Sequence, residues 1–115
     1  MDLNTWKKGH ELVLMIYKHT EGFPTKEKFS LVDQMRRAAV SITSNIAEGF
    51  GRNTIKDKVQ FYSVAQGSLG ELQNQLLIAK DVNYLKDSDF QGIAEQIIVV
   101  NKLINGLKRI KNTKY

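Results

Sequence analysis

With 115 residues the chain can close one hydrophobic core and has no room for a second. It contains no cysteine, which excludes disulfides and thiolate metal sites. It has no apolar run long enough to span a bilayer, and Met1–Lys8 has no signal-peptide apolar region. The reading is a single domain over residues 1–115, cytoplasmic, with no membrane partner. A net charge of +5 favours polyanions without choosing one.

The first predicted element is a helix from about Asn4 to Thr20, with Trp6, Val13, Ile16 and Tyr17 on one side. Glu21-Gly22-Phe23-Pro24 stops it, because glycine and proline do not continue a helix. Thr25 is then placed to cap a second helix from about Lys26 to Phe50. Val32, Met35, Ala39, Ile42, Ile46 and Phe50 recur there at intervals of three or four, the core stripe of a packed helix. Gly49 and Gly51 loosen its end. Thr54 and Asp57 have the spacing of an N-cap and its N3 acid and open the third helix. Its stripe is Ile55, Val59, Tyr62, Ala65, Leu69, Leu72, Leu76 and Ala79. Residues 81–86 break that stripe, and Ser88 with Gln91 makes a second capping box opening helix four, whose stripe is Phe90, Ile93, Ile97, Val100, Ile104 and Leu107. Residues 111–115 read as a frayed tail. Helices of about 22 to 26 residues span roughly 33 to 39 Å, and short links force neighbours antiparallel. The fold class is all-α, an antiparallel up-down four-helix bundle.

Two helices carry more than one special face. On helix two, Asp33, Arg36, Val40, Thr43 and Ala47 form a second stripe, and Gln34, Arg37, Ser41, Ser44 and Glu48 a third. Neither is an ordinary charged solvent face. On helix three, Ser63, Gly67, Gly70 and Asn74 share a small-residue side, and each interior glycine costs about 1 kcal/mol against alanine unless close approach of a backbone uses it. That approach is either tight packing inside one bundle or a subunit interface made by helices two and three.

The residues Phe23-Pro24 and Glu27, then Leu31, Gln34, Arg36-Arg37-Ala38, Ser41-Ile42, Asn45-Ile46-Ala47-Glu48-Gly49 and Arg52, with Ala65, Gly67-Ser68 and Glu71-Leu72 on helix three, resemble the 23S rRNA intervening-sequence proteins. That family of four-helix bundles includes accessory proteins of diversity-generating retroelements. The resemblance runs from Trp6 to the end of helix four. It implies a small bacterial protein that assembles into a homo-oligomeric ring, a pentamer, with a basic surface. It also implies relatives that bind nucleic acid and, in the retroelement case, a reverse transcriptase. The family name records where some genes lie, so a constituent of the ribosome is not expected.

In an antiparallel bundle the starts of helices one and three share an end with the finishes of helices two and four. That end collects Lys7, Lys8, Arg52, Lys56, Lys58, Lys108, Arg109, Lys111 and Lys114 against Asp2, Glu11, Glu48 and Asp57, which accounts for the whole excess of +5. At the opposite end and in the middle the charges cancel. A parallel ring would multiply this into one basic face suited to salt-sensitive, largely sequence-independent contact with RNA or DNA phosphates. Against it stands a solvated surface that keeps the protein soluble, with basic helix C-termini complementing the helix dipole. Of the cations at that end, Lys7, Lys8, Arg52, Lys56, Lys58, Lys108, Arg109 and Lys111 are the candidate contacts. Arg36 and Arg37 lie mid-bundle and suit a structural ion-pair network or interface with Asp33, Glu48 and Glu71 better than direct phosphate contact, because the planar fork holds carboxylates bidentately.

Enzyme chemistry finds no support. No glutamate has a histidine three residues on, as di-iron bundles require. His10 and His19 are nine residues apart, about 180° around one helix, so they cannot share a metal there. Gly49-Phe50-Gly51-Arg52 only faintly resembles a phosphate loop and lies between helices. No catalytic residue, metal or cofactor is expected. Two functions remain. One is a ring-forming protein that binds RNA or DNA; the other is an adaptor whose ligand is another protein, anchored by Trp6, Phe61, Tyr84 or Phe90 if these prove exposed.

Overall fold

A computed structural model describes residues 3–113, with side chains described for residues 4–109. The described residues form four α-helices, α1 (Leu3–Thr20), α2 (Leu31–Phe50), α3 (Ile55–Asp81) and α4 (Asp87–Thr113), with a short 3-10 turn at Thr25–Glu27. No strand occurs among the described residues. Each helix packs on the next and α4 packs back on α1, a closed cycle consistent with a four-helix bundle of about 49 × 25 × 19 Å.

The start of α2 differs from the sequence expectation. Lys26 does not begin it, and Thr25 does not cap it: Thr25–Glu27 forms the 3-10 turn behind Pro24, and α2 begins five residues later, at Leu31. The reason is tertiary. Ser30 adopts φ −124°, ψ −98° and donates its hydroxyl to Glu27 Oε1 at 2.7 Å, while Tyr84 from the α3–α4 link donates to Glu27 Oε2 at 2.7 Å. Anchored from both sides, Glu27 holds the segment out of the helix. The two hydrogen bonds, Ser30 first and Tyr84 second, favour the carboxylate and hold Glu27 below its ordinary range, and the same carboxylate raises the Tyr84 phenol.

The expected cap of α3 is present, with Thr54 Oγ1 accepting from the Asp57 amide at 3.1 Å. The Ser88 capping box is not: α4 begins at Asp87, one residue earlier, and Lys86 O accepts the first helical bond from Phe90 N at 2.9 Å. Ser88 therefore lies inside the first turn. The preceding link fixes this entry. Asn83 stands at φ 65°, its amide bonds to Lys80 O at 3.0 Å, and the Tyr84 amide bonds to Ala79 O at 2.9 Å. These are the paired bonds of a Schellman motif, with asparagine in the left-handed position that glycine usually occupies. The Tyr84 ring then packs on Phe23 at 5.3 Å, tying the two links at that end together. At the other terminus α4 runs on to Thr113, through residues expected to fray.

The core follows the predicted stripes closely. Val32, Met35, Ala39, Ile42 and Ile46 are buried, as are Tyr62, Ala65, Leu69, Leu72, Leu76 and Ala79 of α3 and Ile93 to Leu107 of the α4 stripe, while Ile55, Val59, Phe50 and Phe90 are half-buried at its ends. On α1 the fully buried residue beside Ile16 is Leu12, whereas Tyr17 is exposed. The tightest seam is α2 on α3. A Cβ on Gly49 would stand 2.5 Å from Tyr62 Cε1, so glycine there lets the Tyr62 ring lie against the helix backbone.

Candidate nucleic-acid interface

Contacts between helices bring the basic residues to one end. Gly9 of α1 lies against Thr43 and Ile46 of α2, the Lys58 ammonium of α3 reaches the end of α2, and Lys108 of α4 reaches Gln66 of α3. Lys7, Lys56 and Arg109 are exposed there and form no ion pair with another described residue. Lys8 pairs with Glu11 at 3.3 Å, and Arg52 pairs with Glu48 at 3.0 Å with its guanidinium 4.5 Å above the Phe61 ring. Both pairs are surface pairs of neighbouring turns, so the cations stay open to solvent and bind their carboxylates weakly.

Lys58 and Lys108 are more committed. Lys58 Nζ donates to Phe50 O at 2.8 Å, a carbonyl at the C-terminus of α2, and to Gly49 O at 3.2 Å, which also accepts from the Arg52 amide at 3.3 Å. Lys108 Nζ donates to Gln66 Oε1 at 2.9 Å, and Gln66 Nε2 in turn donates to Asn101 Oδ1 at 3.1 Å and Asn105 Oδ1 at 2.7 Å. These two ammonium groups contribute field to the end while their protons are partly engaged. The Lys111 side chain lies outside the described residues.

The mid-bundle residues do not join into one network within a single chain. Arg37 pairs with Asp33 at 3.1 Å and is 80% exposed. Arg36 turns instead to α1, where Nε donates to Thr20 Oγ1 at 3.0 Å, Nη2 donates to Tyr17 O at 3.3 Å, and the guanidinium lies 4.6 Å over the Tyr17 ring. Glu48 belongs to Arg52, and Glu71 is exposed with no ion-pair partner among the described residues. Below Arg37, Ser41 and Ser68 join their hydroxyls across the α2–α3 seam at 2.8 Å.

The structure adds features that periodicity did not single out. Leu14, Tyr17 and Val40 are exposed where α1 meets α2, and Leu77 and Ile98 where α3 meets α4. Gly67 and Gly70 have nothing within 4 Å of the place a Cβ would occupy, so packing inside the bundle does not explain them. Of the candidate aromatic anchors, Trp6, Phe61, Tyr84 and Phe90 are half-buried, whereas Tyr17 is exposed and Phe29, at 87% exposed, is the most open aromatic among the described residues. A stripe reading assigns Tyr17 and Val40 to helix faces but cannot say which faces a single bundle leaves uncovered.

An all-α fold, with four helices among the described residues and the excess of positive charge toward one end, defines the class. The 23S rRNA-intervening sequence protein family matches residues 1–106, and the chain belongs to that family. In fold it is similar to the crystal structure of a protein of unknown function from the S23 ribosomal protein family of Bacteroides thetaiotaomicron. That likeness has a TM-score of 0.81 at 20% identity and covers 90% of this chain and 97% of that one. No curated protein matches the chain. No helix among the described residues is long and apolar enough to cross a membrane.

Proposed function

We propose that this protein is a cytoplasmic, non-enzymatic ring of antiparallel up-down bundles that binds RNA or DNA through the basic end. The observation that carries the binding is the open cluster of Lys7, Lys56 and Arg109, joined by Arg52 and Lys8, at the end where the chain's excess charge lies. Phosphate contact by such residues releases counterions and is largely indifferent to sequence.

Two unlike uncovered sides support the ring. Tyr17, Val40 and Arg37 line one groove, between α1 and α2; Gly70, Leu77 and Ile98 line another, between α3 and α4. In a cycle of four helices these sides are opposite one another. Patches that differ in composition and lie opposite each other favour head-to-tail contact, which closes into a ring when the rotation allows. Glu71, with no ion-pair partner among the described residues, is the carboxylate that a neighbour's Arg37 would meet, and the bare surfaces of Gly67 and Gly70 admit a close approach beside it. Five subunits is the number the family resemblance implies.

The test is fluorescence anisotropy with a structured RNA and a matched DNA duplex at about 50 and 200 mM salt. Affinity is expected to fall at least about tenfold across that range for a multi-phosphate contact. Replacing Lys7, Lys56 and Arg109 with glutamate should abolish binding while the helical circular-dichroism signal stays. Absence of binding to either nucleic acid at the lower salt would sink the reading. It would bring forward a protein adaptor, such as a partner of a reverse transcriptase, for which solvent-exposed Phe29 is the better anchor than the half-buried aromatics.

A further inference from the structure

Arg36 differs from Arg37 and Arg52 in having no carboxylate. Its guanidinium is fixed by neutral acceptors, Thr20 Oγ1 and Tyr17 O, and by the Tyr17 ring beneath it. Thr20 Oγ1 is itself locked, donating to Ile16 O at 2.6 Å. The result is a half-buried cation held in one orientation with its charge unneutralised by any described residue bonded to it. Ordinarily such a group is paired, because desolvating a cation is unfavourable without a compensating charge.

A cavity of about 400 Å³ opens onto this arginine, between the end of α1, the 3-10 turn and the start of α2. Lys28 lines it as a second cation and Glu21 as one anion, so the lining carries a single net positive charge. Phe23 and Val32, both buried, and Pro24 give it apolar walls, and the Thr25 hydroxyl is available as a further donor. Ser30 gives no side-chain cap to α2, so the positive end of that helix's dipole adds to the same sign of potential. The end of the bundle involved is the charge-balanced one, away from the proposed nucleic-acid surface.

We infer that this cavity is a binding site for a small organic monoanion, a carboxylate on a compact apolar body, with the Arg36 guanidinium and the Lys28 ammonium receiving the carboxylate and Phe23, Pro24 and Val32 receiving the body. Thr20 and Tyr17 occupy the Nε–Nη2 edge of Arg36, and the remaining edge, Nη1 with the second Nη2 proton, matches a carboxylate in the plane. Glu21 makes a dianion a poorer fit than a monoanion. Arg36 and the Tyr17 ring beneath it also line the α1–α2 groove, so the site borders the proposed ring contact, while it is independent of nucleic-acid binding at the other end.

Sodium benzoate is the probe, titrated into the full-length protein against sodium chloride at equal ionic strength, with arginine Nε–Hε and backbone amide signals followed by NMR. The expected result is a saturable shift of the Arg36 side chain and of the Phe23 and Val32 amides, while Arg37 and Arg52, which hold their own carboxylates, do not move. Arg36→Gln should weaken binding at least tenfold, and Glu21→Gln should strengthen it about two- to fivefold by removing one like charge. Should Arg36→Gln not fold, Lys28→Gln, at an exposed position, serves in its place with a several-fold loss expected. Shifts that grow linearly and match those in chloride would overturn the site. So would an Arg36 signal that ignores benzoate but moves on diluting the protein, which would place a carboxylate of another copy of the chain there instead.

Discussion

Helix α3 meets its surroundings in two unlike ways. Along α2 it is closed: Tyr62 lies fully buried against the backbone of Gly49, Leu69, Leu72 and Leu76 are buried, and Ser41 and Ser68 share a hydrogen bond. On its outer side it presents Gly67, Gly70, Glu71 and Leu77 to solvent, with open space where the glycines' side chains would be. Glycine serves opposite ends on the two sides. At Gly49 the missing Cβ is filled by a neighbour in the same chain, and at Gly67 and Gly70 the helix forgoes stability that its own chain does not recover. The difference separates a glycine that the chain's own packing uses from two that it does not.

The largest effect that sharpens this comparison is expected at the closed seam. Gly49→Ala drives a methyl into a buried ring that cannot move aside, and should lower unfolding free energy in urea by about 1 to 3 kcal/mol, as overpacking does. The opposite sign is expected outside. Gly67→Ala and Gly70→Ala should each raise the stability of the dissociated chain by about 1 kcal/mol, measured at low protein concentration so that assembly does not contribute. Equal destabilisation at all three glycines would erase the distinction.

Smaller effects probe the charges at the two sides. Glu71→Arg should leave the stability of the dissociated chain within about 0.5 kcal/mol of the parent, because Glu71 is exposed and pairs with no described residue. It should nonetheless weaken self-association, and adding Arg37→Glu should restore part of it, a charge swap read by light scattering. Destabilisation of the isolated chain by Glu71→Arg would instead place Glu71 in the subunit's own framework.

The smallest effect is the pH dependence at the linked ends. Glu27 titrates lower in the folded chain than in the unfolded one, so its contribution is fully present above the unfolded value near 4.5 and is lost as pH falls through the folded value. Tyr84 titrates higher when folded, so its contribution is present below the unfolded value near 10.0 and is lost as pH rises through the folded one. Glu27→Gln should flatten the acid side of the stability profile, and Tyr84→Phe the alkaline side. An unchanged profile in both variants would remove the Glu27–Tyr84 clasp from the account.

The stripes of α2, α3 and α4 were legible because a helix buried on one side repeats its apolar residues every three or four positions. Thr54 was legible as a cap because the bond it makes is local. The start of α2 was not, since the group that pulls Glu27 away from a helix is Tyr84, far along the chain, and the start of α4 was set by the left-handed Asn83 rather than by Ser88. At the candidate interface, the clustering of charge followed from topology and could be read early. Which cations remain open depended on contacts, such as those of Lys58 with the end of α2 and Lys108 with Gln66, that no spacing announces. Arg36 carries the same lesson: its partners, Thr20 and Tyr17, are on another helix and are neutral, where the sequence offered acids.

The most direct test of the central claim is sedimentation velocity of the parent chain and of the Gly67→Ala, Gly70→Ala double variant over a range of concentrations. The parent is expected to sediment as one multimer of several 13.1 kDa chains, and the double variant, though more stable as a single chain, to sediment smaller. A parent that stays at the mass of one chain throughout, or a double variant that keeps the parent's full assembly, would contradict it.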